Sequence, residues 1–144
     1  MVEEKTAVKE IEQFIDYLVQ AGVHCRVAQL ESIYHRDMQA FILDDSDQLT
    51  IADKSAFIDL FKAKRDSGEL PLNAWKKIHH VEVKNNSALV IFSRINNLSG
   101  QERKLRLGID LIHENGNWQV IREIIFLDPN STTPTPTPPP TLQS

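Results

Sequence analysis

Between Lys104 and Leu127 the chain carries two strand-like runs joined by one tight turn, and this pair limits what the rest can build. Leu105, Leu107, Ile109 and Leu111 fall on one side of the first run, and Lys104, Arg106, Gly108 and Asp110 on the other. That period of two is the mark of a strand with one buried face. Glu114-Asn115-Gly116-Asn117 supplies the turn. Asn-Gly takes the positive φ angles of a two-residue hairpin loop, so the register of the pair is set locally. Trp118 to Leu127 returns as a second, more apolar strand.

Upstream, the same period predicts a strand over Trp75 to Lys84, a turn at Asn85-Asn86 and a partner over Ser87 to Asn97. Leu98-Ser99-Gly100-Gln101 then turns the chain into the Lys104 strand. The first half reads as helical. Val8, Ile11, Phe14, Ile15, Leu18 and Val19 recur at three- and four-residue spacing, with Thr6 placed to cap the start and Gly22 to stop the helix in a left-handed conformation. A short helix over Arg26 to Tyr34 follows, then a small hairpin of Met38 to Leu43 and Gln48 to Ile51 about the polar turn Asp44-Asp45-Ser46-Asp47. Asp53 caps a third helix that Gly68 ends. Helices that precede an antiparallel meander make the fold α+β, with the helices on one face of the sheet.

The chain has 144 residues, and only residues 1–128 have the composition of a folded domain. Residues 129–144 include Pro134-Thr135-Pro136-Thr137-Pro138-Pro139-Pro140, and repeated proline removes donors and blocks helix, which predicts an extended, disordered tail. A net charge of -4 excludes nucleic acid as the main partner, because phosphate binding needs a concentrated basic surface. No apolar run reaches the length that spans a bilayer, and the acidic start lacks a signal-peptide core, so a cytoplasmic location is expected. Cys25 is the single cysteine and reads as a small, partly buried hydrophobe. No cofactor motif or metal-ligand spacing is present, so neither is expected.

Three segments in this order carry a resemblance: Phe14-Ile15-Asp16-Tyr17-Leu18 through Ala21-Gly22, Leu30 to Asp37, and Asn115-Gly116-Asn117-Trp118-Gln119-Val120-Ile121. From Ala7 to Asp128 the chain resembles the nuclear transport factor 2 superfamily, which includes ketosteroid isomerases and polyketide cyclases of the SnoaL type. The resemblance implies a cone: a strongly bent antiparallel sheet around three N-terminal helices, with an apolar pocket at the wide end. It also implies dimerisation through the outer face of the sheet. The residues agree, since Leu89 and Ile91 oppose Val90 and Phe92, and Ile121 and Ile125 oppose Val120 and Ile124. Apolar residues on both faces require cover on both, and a second copy of the chain is the economical one.

The isomerase constellation does not carry over. The family's general base falls near Ile42 and its tyrosine near Ile15, both apolar, while Asp44 and Tyr17 are two residues away. A two-residue shift turns a helical side chain by about 200°. His35 and Asp37 are the candidate bases for an enzyme of isomerase or cyclase type; the alternative is that they only end the helix and cap the turn. Tyr17, Tyr34, His35, Trp75, His79 and Trp118 are the candidate residues for a small apolar ligand. His79 and His80 are adjacent on a strand and so face opposite sides, His79 with Val81. Asp110 reads as a member of a surface ion-pair ladder with Arg106, or as a pocket acid held by Arg94. Three functions follow: a small-molecule binder, an enzyme based on His35 or Asp37, or an adaptor that reads a partner through its sheet.

Overall fold

The computed structural model of the chain describes residues 2–68, 71–96 and 102–128. The turn expected at Leu98 to Gln101 and the tail at 129–144 lie outside the described residues. The elements run α1 (Val2–Val23), α2 (Val27–Ile33), β1 (Tyr34–Leu43), β2 (Leu49–Asp53), α3 (Lys54–Ser67), β3 (Lys76–Lys84), β4 (Ser87–Asn96), β5 (Arg103–Glu114) and β6 (Asn117–Leu127). Among the described residues, three helices and a six-stranded sheet make the expected α+β arrangement.

Local chemistry sets most boundaries. The β5–β6 loop is Asn115-Gly116, both at positive φ (54° and 80°), between the paired residues Glu114 and Asn117. Asn85 does the same between Lys84 and Ser87. Asp44 Oδ1 accepts from the backbone N–H of Ser46 (2.8 Å) and of Gln48 (2.9 Å), which pins the β1–β2 turn. Asp53 caps α3 by accepting from the Ala56 N–H at 2.9 Å, and Gly68 stops it at φ 77°.

At the first helix the structure departs from the pattern. It begins at Val2, so Thr6 lies inside it, and it runs through Gly22 to Val23. The positive φ of the α1–α2 junction belongs to Cys25 (48°) instead. Cys25 is buried, and that burial pushes its thiol up and keeps it neutral.

The strand order is β2-β1-β6-β5-β4-β3, and β1 pairs with β6 in parallel. The sheet is therefore mixed rather than wholly antiparallel. A hairpin turn dictates antiparallel pairing, but no turn joins β1 to β6. Ile11, Ile15, Leu18 and Val19 of α1 and Phe57, Ile58 and Phe61 of α3 are buried in one core with Val90, Phe92, Leu105, Leu107, Ile109 and Leu111 of the inner sheet face.

Two bulges change which side chains face inward. On β6, Leu111 pairs with Val120 and Asp110 with Arg122, which leaves Ile121 as the surplus residue. Val120, Glu123 and Ile125 are consequently buried, whereas Ile124 and Phe126 are exposed. Simple alternation instead placed Ile121 with Ile125 and against Val120. On β3, His79 is surplus between the pairs Ile78–Phe92 and His80–Ile91. Its ring lies 2.8 Å from the hydroxyl of Ser93, a residue that alternates with the inward Phe92 and Arg94. Both histidines therefore turn to the outer side, contrary to strict alternation.

Candidate ligand-binding site

A cavity of about 60 Å³ lies between the inner sheet face and helices α1 and α3. Its walls are apolar over most of their extent: Leu18, Phe57, Phe61, Phe92, Leu107 and Ile125. The half-buried Ile42, Leu60 and Leu127 stand at its rim. Tyr34, Arg94 and Glu123 form the one polar part of the lining.

Each of these three is placed by a specific feature of the fold. Tyr34 is the residue at which α2 gives way to extended backbone (φ -87°, ψ 130°), so it enters at the very start of β1. Its ring packs edge-on against Phe57 at 5.5 Å, and Phe57 against Phe61 at 5.5 Å. Arg94 shares the inward parity of Val90 and Phe92 on β4 and donates through Nη2 to the Asn73 carbonyl at 3.2 Å. Glu123 points inward because the bulge at Ile121 shifts the alternation of β6. Gly22 lines the wall beside them: a Cβ there would stand 3.5 Å from a Phe61 ring carbon and 3.9 Å from Arg94 Nη1.

The electrostatics follow from burial. Loss of water pushes the Glu123 carboxyl up to about 7, against the opposing pull of the Tyr34 hydrogen bond and the Arg94 charge. Burial likewise raises the Tyr34 phenol well above its ordinary value, reinforced by Glu123. Arg94 is shifted down by burial, and its Nε is buried without a partner. A neutral carboxylic acid can donate a hydrogen bond, as can the tyrosine, and the guanidinium adds a positive charge.

Of the residues proposed from sequence, Tyr34 alone lines this cavity. His35 is buried but turned elsewhere: its Nδ1 accepts from the Asp37 N–H at 3.0 Å, and its Nε2 lies 3.0 Å from Glu114 Oε1. With Nδ1 an acceptor, Nε2 carries the proton and donates to Glu114. Asp37 is exposed. Trp75 is 41% exposed beneath the Lys104 ammonium, 5.9 Å from the ring centre. Tyr17 and Trp118 meet in a separate surface groove with Phe14 and Ile33, and Trp118 also packs on His113 at 4.9 Å. Ile15 is core and Ile42 stands at the rim, while Asp44 serves its turn.

Arg94 and Asp110 are not neighbours across a pocket. Asp110 faces outward and accepts from Arg122 at 3.1 Å, and Arg106 pairs with Asp128. Among the described residues no three metal-ligating side chains cluster, and no helix is long and apolar enough to cross a membrane.

Glu123 is the residue that sequence reasoning did not place, and Arg94 entered it only as a partner for Asp110. The available signal was a lone acid inside Ile-Arg-Glu-Ile-Ile, but its face depends on the bulge.

No protein-family model matches the chain, and no curated protein matches it. Solved structures do. A protein of unknown function from Silicibacter pomeroyi superposes with a TM-score of 0.70 at 16% identity, over 89% of this chain and 99% of its own. One from Shewanella baltica gives 0.67 at 17%, over 90% and 97%. One from Pseudomonas putida gives 0.64 at 20%, over 85% and 87%. All three are described as NTF2-like. Likeness at such low identity speaks to architecture and not to activity, and on that ground this chain has the NTF2-like fold.

Proposed function

We propose that this domain binds a small, mostly apolar molecule in the cavity and performs no isomerase chemistry. The observation that carries the reading is the lining itself: apolar and aromatic walls under α1 and α3, with polar groups gathered at one place. That is the usual build of a small-molecule site, in which burial supplies affinity and a few polar atoms fix orientation. Its size suits a compact ligand of a few heavy atoms. By the resemblance, the base and the tyrosine of ketosteroid isomerases fall near Ile42 and Ile15, which are apolar.

An enzyme reading rests on Glu123 rather than on His35 or Asp37. A carboxyl raised to about 7 inside a cavity is a mark of proton-transfer sites. The rest of the lining favours binding over turnover, because among the described residues Glu123 has beside it only Tyr34 and Arg94, both of them donors, and hydrocarbon.

The outer sheet face supports a homodimer. Register places Ile51, Phe41, Ile124, Gly108 and Ile91 in one row across β2, β1, β6, β5 and β4, with Phe126 beside them. Glycine in the middle of that row makes a shallow apolar trough suited to a second copy of itself.

Binding is tested by titrating small apolar probes into the protein and into Leu127→Trp, which plugs the rim, with amide NMR shifts as the readout. Shifts at Leu18, Phe61 and Phe92 that vanish in the plugged variant are expected. Equal shifts in both proteins would overturn the reading.

A further inference from the structure

We propose that the occupant is a small monocarboxylate, its carboxylate held by Arg94 and its hydrocarbon part among Phe57, Phe61 and Phe92. This rests on the reading that the cavity binds a small molecule, and it names the chemical class.

Arg94 carries the argument. It is nine-tenths buried on the wall of an apolar cavity, and a charge in such a place is costly unless paired and hydrogen-bonded. One Nη donates to the Asn73 carbonyl, which carries no net charge, and Nε has no partner. A buried donor left unpaired is an uncommon feature that calls for a partner. The guanidinium fork matches a carboxylate in shape as well as charge, and a desolvated pair of this kind is among the strongest polar contacts a protein makes.

Glu123 does not take that place. Its carboxyl is engaged with the Tyr34 hydroxyl, and burial, which raises it to about 7, favours its protonated form below neutral pH. Among the described residues Glu123 is the one acid that faces Arg94 in the cavity, and with that acid protonated below neutral pH an incoming anion can neutralise the Arg94 charge. The titratable groups facing this space are Tyr34 of β1, Arg94 of β4 and Glu123 of β6; α1, α3 and β5 contribute only Leu18, Gly22, Phe57, Leu60, Phe61, Leu105 and Leu107. Gly22 contributes by omission. With no side chain there, the wall over Arg94 Nη1 stays open, and a methyl group would fill part of it.

The test compares straight-chain monocarboxylates from acetate to hexanoate with the matching amides and alcohols at pH 6, by calorimetry and by amide NMR shifts on the intact chain. The expected result is acids binding at least tenfold more tightly than their amides. That preference should vanish in Arg94→Gln and survive only in part in Arg94→Lys, which keeps the charge and loses the fork. The NMR spectrum of each variant reports whether it folds, and Arg94→Lys supplies the comparison if Arg94→Gln does not. Amides and alcohols binding as well as acids would overturn the carboxylate assignment and leave small-molecule binding standing. Failure of every probe to bind the unmodified protein would overturn both.

Discussion

Tyr34 and Glu123 meet across the seam where β1 lies parallel to β6, one delivered by a helix-to-strand switch and the other by a bulge. Their contact joins a phenol and a carboxyl that burial pushes toward their neutral forms.

The burial of Glu123 makes stability depend on pH in a defined sense, with the Tyr34 hydrogen bond working against it. The folded Glu123 holds its proton to about pH 7, whereas the unfolded side chain releases it near the ordinary value of 4.5. The stabilisation is therefore fully present below about 4.5 and lost as pH rises through 7. It amounts to about 3–4 kcal/mol at most, since each tenfold change in proton affinity is worth roughly 1.4 kcal/mol. Urea unfolding from pH 5 to 9 should show stability falling along this course, and Glu123→Gln should flatten it. An unchanged slope in that variant would remove Glu123 from the account.

Gly22→Ala separates stability from binding. The new methyl meets Phe61 and Arg94 at ordinary contact distances, so no clash is expected. A helical alanine in place of glycine gains about 0.5–1 kcal/mol. Thermal unfolding should shift upward while affinity for small probes, measured by titration, drops.

His35→Ala should destabilise the fold by about 1–3 kcal/mol, because it empties a buried site and leaves the part-buried Asp37 N–H without its acceptor. If His35 only pins β1 to the β5–β6 turn, ligand affinity in the folded variant should match the parent. A change in affinity beyond about threefold, the size of a small binding effect, would give His35 a role in the cavity.

Ile124→Asp combined with Phe126→Glu places charges in the outer trough, where both side chains are already exposed in a single chain. Sedimentation of the parent should report a dimer and of the double variant a monomer, with unfolding midpoints extrapolated to low concentration nearly equal. A monomeric parent at tens of micromolar would refute the association.

The elements were legible wherever a local rule governs them. Asn115-Gly116, Asn85, Asp53 and Gly68 each impose a backbone conformation that neighbouring residues suffice to explain, and the strand and helix periods did the rest. The cavity was harder to read because its polar residues depend on events outside any short window. Ile121 and His79 are surplus only relative to partner strands, so no alternation rule can locate them. The parallel pairing of β1 with β6 has no connecting turn to announce it. Gly22 fits the pattern of a helix stop, yet the helix runs past it to Val23 and the left-handed position falls at Cys25. Tyr17, Trp75 and Trp118 were attractive as aromatics, but aromatic character alone does not fix which way a side chain points.

The seam between β1 and β6 also orders events during synthesis. Every other pair in the sheet joins strands that follow one another in the chain, and such pairs zip from nearby connections. β1 must wait for the last strand to leave the ribosome, and the closure of so long a loop is an entropic step with no local nucleus. The helices and the first hairpin therefore emerge with their apolar faces uncovered, and the hollow they share takes shape only when synthesis reaches Leu127.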